Sequence, residues 1–465
     1  LISAGFHTVL LLLLSLLAAA QIQKPQPEAM LANIEDRKAE VAPSPTEETS
    51  PKQFLTDEPN KENPVQIMDK LDFEISDHME TNENMDKNTA KGDEDAISNL
   101  PLGSIGIQDV MGVGGGGGGQ FGQRDGGGRR NLVSVGGGSP GSENSVESGL
   151  KWLADHQEGD GHWDAGKYGG DKQPSHDSAV TGLALLAFLG AGYTDKQGKY
   201  AEKVKRGLDW MQQHQGADGS FSKNNYAHGM CTLAAAEAFG MTSARKDMAQ
   251  RAVDYMIRQQ KPGGGWDYGD KGEPGRDRSD TSISCWQVMA LKSAKLAELN
   301  VPQSAFDNVL KYFRAAGDVG NSTATGMVAY EIVNGKPSKG GMAITAMTML
   351  SCQFLGFNRD NPFSIAGANL LKEQGPQVTD SFNLYYTYYA TMTMFQMGQE
   401  FFAPWNAGMR DPLVANQVKE QGDNHGSWPP EKDTYGKDGG RVYTTAMACL
   451  CLEVYYRYLP VYKNR

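Results

Sequence analysis

Residues 149–163 read GLKWLADHQEGDGHW, and the same frame returns at 207–221 as GLDWMQQHQGADGSF and at 253–266 as VDYMIRQQKPGGGW. In each copy a glutamine (Gln157, Gln215, Gln260) precedes, at fixed spacing, a Gly-x-aromatic step that ends at Trp163, Phe221 and Trp266. A fourth copy runs from Gln421 through Gly426 to Trp428 with one residue more. Two degenerate units, opening near Val309 and near Gly367, lie between the third and fourth copies, which makes six units in all. Self-similarity of this kind marks an array of supersecondary units that share one core.

Each unit reads as a helix, a glycine-punctuated loop and a second helix. The first helix carries apolar residues at helical spacing, as at Leu150, Trp152 and Leu153. The second is longer and apolar around most of its circumference, over 178–190, 231–240, 283–299, 342–355, 384–397 and 443–458, and such helices are buried ones. Alternating half-buried and buried helices predict two concentric layers, an all-α (α/α)6 toroid over residues 145–465. Closing six hairpins on themselves leaves no terminal repeat to cap. At each loop the Gln amide can satisfy free backbone groups at a helix end while the aromatic packs on the neighbouring hairpin, a clamp between repeats more than a ligand site.

Outside the repeats the chain is of another kind. Of 465 residues 56 are acidic and 44 basic, a net charge of -12. Residues 21–110 hold 20 acidic and 8 basic side chains, an excess of 12 acids (20 − 8), so the remainder is neutral. A neutral globular part argues against a nucleic-acid binder, which needs surplus basic surface to displace counterions. Between 21 and 148 only Phe54, Phe73 and Phe121 are aromatic. That is too little apolar surface to offset chain entropy, so 21–110 is expected to be a disordered acidic spacer. Residues 111–144, with the run Gly114 to Gly119, read as a flexible glycine linker, because no Lys-Ser or Lys-Thr follows to make a phosphate loop. Residues 1–20 are uncharged and apolar, fitting either a retained membrane anchor or a signal peptide cleaved after Ala18, Ala19 and Ala20. Either places the folded part outside the cytoplasm.

The Q-x3-G-x-W pattern in helical hairpins resembles the repeat of the prenyltransferase and squalene-oxidase superfamily, which includes squalene-hopene cyclases, oxidosqualene cyclases and protein prenyltransferase β-subunits. The resemblance implies a central cavity lined by the N-terminal ends of the inner helices, near His176, Tyr226, His228, Asp280, Trp286, Tyr385, Tyr386 and Tyr443. It also implies an isoprenoid or other lipid-like ligand. Cyclases of this family begin with D-x-D-D-T, whose central Asp protonates an alkene. Here the sequence is Asp277-Arg278-Ser279-Asp280-Thr281, which puts a serine at the donor position. Asp280 could act as the acid if burial or Asp277 raised its pKa, with His176 a further helper; alternatively Asp280 or Ser279 caps the helix that follows. The Asp-x-Cys zinc pair of the prenyltransferases is missing, as is the Gly-Cys-Gly-Glu-Gln motif of complement-type thioester toroids. Cys231, Cys285, Cys352, Cys449 and Cys451 sit in apolar runs as expected core thiols, so no metal and no cofactor is expected. Loop carboxylates at Asp160 and Asp164 with His162, and at Asp267, Asp270 and Glu273, offer at most a weak cation site beside ordinary solvation. Tyr385, Tyr386, Tyr388 and Tyr389 serve either as cavity wall or as core.

Two functions from different classes follow: a tethered toroid that binds a hydrophobic ligand or partner without the standard chemistry, or an isoprenoid-processing enzyme with Asp280 as acid and Asp277 beside it. Polysaccharide cleavage would need two facing carboxylates.

Overall fold

The computed structural model describes residues 124, 129, 132, 133, 136–269, 277–317, 319 and 325–457. The hydrophobic segment at 1–20 and the spacer at 21–110 lie outside these, as do Asp270 and Glu273. Among the described residues no helix is long and apolar enough to cross a membrane. The ring lies within the second of two compact units, Phe73–Arg465.

Helices pair as six hairpins, each with an outer and then an inner member: α1 (Pro140–Asp155) with α2 (Pro174–Gly190), α3 (Ala201–His214) with α4 (Asn225–Thr242), α5 (Lys246–Arg258) with α6 (Thr281–Leu296), α7 (Gln303–Ala316) with α8 (Met342–Phe354), α9 (Pro362–Gln374) with α10 (Leu384–Met397), and α11 (Gln399–Ala415) with α12 (Gly436–Leu452). A short α13 (Val454–Arg457) follows. Each inner helix packs on the next, and α12 packs on α2, so the inner ring is closed. The predicted (α/α)6 toroid is the architecture found.

The two layers differ as their sequences require. Outer α3 buries Val204, Gly207, Leu208 and Met211, one stripe at i, i+3, i+4 and i+7. Inner α10 buries every residue from Leu384 to Met397, because it has outer helices on one side and the ring axis on the other. All five cysteines are buried free thiols in inner helices. The first outer helix starts five residues before the expected boundary at 145, because Ser139 and Ser142 cap it reciprocally ahead of a Pro at the first turn.

The repeat motif is the joint. Gln157 Nε2 donates to Gly161 O (2.8 Å) in its own loop and to Lys203 O (2.9 Å) of the next outer helix. Gln215 joins Gly219 O (3.1 Å) to Met248 O (2.9 Å), and Gln260 joins Gly264 O (2.8 Å) to Ala305 O (2.9 Å). The fourth joint is made by Gln417, not by Gln421, which is exposed. Gln417 Nε2 donates to Gly426 O (2.7 Å) and Ser145 O (2.8 Å), so this joint ties the last hairpin to the first. The indole N–H groups of Trp163, Trp266 and Trp428 donate back to Leu153 O (2.7 Å), Met256 O (2.8 Å) and Leu413 O (2.8 Å) of the preceding outer helix.

The glycine of each motif is needed on two counts. Gly161, Gly219, Gly264 and Gly426 have φ of +109, +92, +94 and +86. A Cβ at any of them would also collide with the backbone of Arg206, Arg251, Asn308 or Ser148, three residues beyond the carbonyl that the Gln holds. The loop thus lies flat against one turn of the neighbouring helix.

Gly264→Ala should cost more than about 1 kcal/mol, whereas Gly263→Ala, with nothing within 4 Å of the added carbon, should stay within about 0.5 kcal/mol of wild type. Gln417→Ala should cost about 1–3 kcal/mol and Gln421→Ala next to nothing. Urea unfolding midpoints of the four variants read both contrasts.

Candidate functional site

The sequence reading expects the site where the inner helices begin. There the chain forms an element that helical periodicity does not signal, a three-stranded sheet of β1 (Arg278–Asp280), β2 (Glu331–Val333) and β3 (Lys336–Pro337). β2 and β3 turn through Asn334 (φ 50°) and Gly335 (φ 75°), an Asn-Gly hairpin. β1 pairs antiparallel with β2, so that Asp280 lies opposite Glu331. The hairpin is inserted between α7 and α8 and is fastened to the start of α6 by Thr281 N to Tyr330 O (2.8 Å) and Thr281 Oγ1 to Ala329 O (2.7 Å).

Asp280 is fully buried and caps α6: its Oδ1 accepts from Ile283 N (3.1 Å) and from Ser282 Oγ (2.5 Å). Its Oδ2 accepts from Arg278 Nη2 (3.1 Å). The same guanidinium pairs with Asp267 and Glu331 and lies over the Tyr268 ring at 5.4 Å. Burial raises the Asp280 carboxyl above its usual range, and the Ser282 hydroxyl, Arg278, the Ile283 amide and Tyr330 pull it back. Strand alternation sends 278 and 280 to one side, so Asp277 falls on the other. Asp277 is exposed, and its backbone pairs with Asn334. The neighbour that acts on Asp280 is therefore Arg278 and not the expected Asp277, and its effect is opposite in sign to that of a neighbouring carboxylate.

Aromatic side chains meet at the axis. Tyr226 of α4 and Tyr385 of α10 meet hydroxyl to hydroxyl, and Trp286 Nε1 of α6 donates to Tyr385 Oη (3.2 Å). Tyr389 sets its edge on Trp286 (5.5 Å between centroids) and lies 5.3 Å from Tyr385. Tyr435 closes on Tyr385 at 5.8 Å, and Tyr268 stacks on Tyr226 at 6.3 Å. Three inner helices thus project rings that touch one another across the centre. Edge-on and tilted pairs of this kind add to their burial energy by about 0.5–1.5 kcal/mol each.

Residues 174–331 match the model of the squalene-hopene cyclase C-terminal domain. Over these residues the ring is squalene-cyclase-like. No curated protein sequence matches the chain. Among solved structures, an α-1,6-mannanase of Salegentibacter sp. HEL1_6 is 11% identical over 67% of this chain and 98% of its own, with a TM-score of 0.49. A variant of a type II terpene cyclase from Scytonema, bound to geranylgeranyl dihydroxybenzoate, is 14% identical over 68% of this chain and 97% of its own, with a TM-score of 0.46. A sugar epimerase from a ruminal bacterium is 10% identical over 68% of this chain and 98% of its own, at 0.48. Likenesses of this degree say nothing of activity.

The remaining expected site residues of the squalene-cyclase-like ring separate into two groups. Tyr443 joins Tyr226, Trp286 and Tyr385 near the axis: burial holds its hydroxyl well above the usual range, Asp433, Tyr435 and Tyr226 add to this, and among the described residues that hydroxyl has no hydrogen-bond partner. His176 is half-buried at the start of α2, and its Nδ1 has no partner among the described residues; burial raises the nearby Asp177 and Asp438 carboxyls, and His176 pulls each part of the way back. His228 and Tyr386 turn outward instead. His228 Nδ1 accepts from Phe221 N (3.2 Å), so its Nε2 carries the hydrogen and donates to Ala252 O (3.1 Å) of outer α5. This histidine takes the place of the Thr181, Ser284 and Thr445 hydroxyls that receive the same amide in the other motif loops. Tyr386 packs on Trp405 of outer α11. Among the described residues no group of three or more His, Cys, Asp or Glu could hold a metal ion; Asp160 bonds His162, Asp164 receives the Lys167 amide, and Asp267 holds Arg278.

Sequence reasoning missed Asp433. It is buried beside the axis, where Oδ2 accepts from Leu384 N (2.8 Å) at the start of α10 and Oδ1 from Tyr435 N (2.8 Å). Burial raises it to about 6, against the two amides. The folded protein then holds a proton that the unfolded chain has released between roughly pH 4 and 6, so this group lowers stability as pH rises through that window. The full effect above it is about 3 kcal/mol. Asp433→Asn should flatten that part of the stability-pH curve. Denaturation midpoints at pH 4 and pH 7 for wild type and variant measure the difference in slope.

Proposed function

We propose that this protein is an extracytoplasmic binding module, in which a squalene-cyclase-like ring takes a lipid-like ligand against its aromatic mouth and performs no cyclisation or zinc chemistry. The hydrophobic 1–20 segment and the acidic spacer would carry it at, or deliver it across, a membrane. One observation carries the reading: the carboxylate next to the missing donor is engaged at both oxygens. A cyclase acid must present a free proton to an alkene. Here Ser279 stands at the donor position, and Asp280 is bound by an amide, a hydroxyl and a guanidinium. The rings of Tyr226, Trp286, Tyr385 and Tyr389 offer faces to an apolar chain, and the unpartnered Tyr443 hydroxyl offers a hydrogen bond to a polar head. Entry requires the Tyr226–Tyr385 contact to open.

The elevated Asp280 carboxyl favours the alternative, an isoprenoid-processing enzyme with Asp280 as acid. The two readings part in one experiment. The purified protein is incubated with a polyprenyl lipid extract and examined by native mass spectrometry for retained lipid and by chromatography for new products. Retained, unconverted lipid that is lost at least about tenfold in Tyr385→Ala, about 1.4 kcal/mol, supports the binding module. A new product that disappears in Asp280→Asn assigns the enzyme.

A further inference from the structure

The glycine-rich segment before the ring is more than a spacer where it meets α2, α4 and α11. Arg124 is 1% exposed. Its Nη1 donates to Glu237 Oε2 (2.7 Å) and Leu189 O (3.2 Å), and its Nη2 to Arg457 O (3.2 Å). Arg129 Nε donates to Glu143 Oε2 (2.8 Å) and its Nη1 to Ala191 O (2.9 Å), with the guanidinium 4.5 Å over the Tyr456 ring. Arg457 Nη2 meets Glu237 Oε1 (3.2 Å) from the other end of the chain. Further on, Gly137 O accepts from Asn406 Nδ2 (2.7 Å) and Arg410 Nη1 (2.6 Å), while Gly136 and Gly138 lie against Tyr455 so closely that a Cβ at either would stand 3.1–3.2 Å from its atoms.

These contacts share one place. Leu189, Ala191, Glu237 and Arg457 are at or beyond the C-terminal ends of inner helices, and the aromatic mouth is at the N-terminal ends. A buried carboxylate in an otherwise apolar inner helix is costly unless it is paired and hydrogen-bonded. Glu237 meets that condition with two arginines brought from outside the twelve-helix ring, one from each side in sequence. The glycines then have a steric role, since a Cβ at Gly136 or Gly138 would crowd Tyr455 and at Gly138 would also collide with Val133. A passive linker needs neither buried arginines nor receiving carboxylates.

We propose that Arg124, Arg129 and residues 136–138 strap the face of the ring opposite the aromatic mouth, with the two arginines as its bolts. The docking surface of Glu237, Glu143, Tyr455 and Tyr456 is built for this segment of the same chain. A ligand then reaches the ring from the other face.

Hydrogen exchange of the full chain, followed by mass spectrometry, tests this. In wild type the strap amides at 136–138 should exchange at least about 100-fold more slowly than the unstructured-chain rate. In Arg124→Ala/Arg129→Ala they should approach that rate while α2 and α4 stay protected, and Glu237→Gln should loosen the strap in the same direction. A control at the exposed Lys151–Asp155 pair, Lys151→Ala, should change nothing. An unprotected strap in wild type overturns the proposal, whether or not the double variant folds. A strap that stays protected without its arginines overturns it as well.

Discussion

One side-chain amide, with two hydrogens to give, holds the architecture together. A glutamine at the end of an outer helix donates one to the glycine carbonyl of its own loop and the other to a carbonyl in the next outer helix. Helix ends leave backbone groups without intrahelical partners, and a loop passing between two hairpins must satisfy such groups from both. The amide does so at 2.7–3.1 Å in all four joints. Its geometry requires the loop to lie flat, which only a glycine with positive φ permits. In three of the joints the aromatic that follows is a tryptophan whose N–H returns to the preceding helix, so each of those joints fixes three consecutive elements. The connection after α7 departs from this pattern. Gly326 (φ +81) still abuts the α9 backbone at Gly367, but the loop carries the β2–β3 hairpin, and that insertion covers the start of α6.

The consequences for the mouth follow from where the joints point. They orient every inner helix with its N-terminal end to one face, and that face collects rings and caps. Tyr226, Trp286 and Tyr385 meet because the helices that carry them are held at one height. Asp280 and Asp433 are buried there for the same reason: each caps an inner helix at a level where water is excluded, and each carboxyl is raised by burial. Capping and chemistry thus compete for the same carboxylates. In this chain the capping geometry is complete.

What the sequence reveals divides along the range of the interactions. Helices, their layers and the ring were legible, because a 3.6-residue period and a repeated Gln-Gly-aromatic spacing are local signals. The fourth joint was misread for the same reason: five extra residues separate Gln417 from Gly426, and a fixed-spacing template selects Gln421 instead. The Asn334-Gly335 turn dipeptide follows a short run rich in apolar residues at 327–333 but is followed by the polar stretch 336–341, so the alternation that marks a hairpin is missing on one side. His228 was assigned to the axis from its place near a helix start. Its partners on α5 are set by packing, which spacing does not encode. Asp433 gives no sign in the sequence, since its role depends on α10 beginning 49 residues earlier.

The joint between Gln417 and Ser145 spans 272 residues. An open solenoid can nucleate anywhere and grow one repeat at a time. A closed ring has to bring its first and last hairpins together before its final interface exists, and the entropy of so long a loop enters the folding barrier. Chains released from synthesis therefore pass through an open arc with two exposed hairpin flanks, each shaped to receive the other. In a crowded compartment those flanks can also meet on two different molecules. The same contact that completes the monomer is then the natural seam for an exchanged dimer, and the speed of closure sets how often one forms.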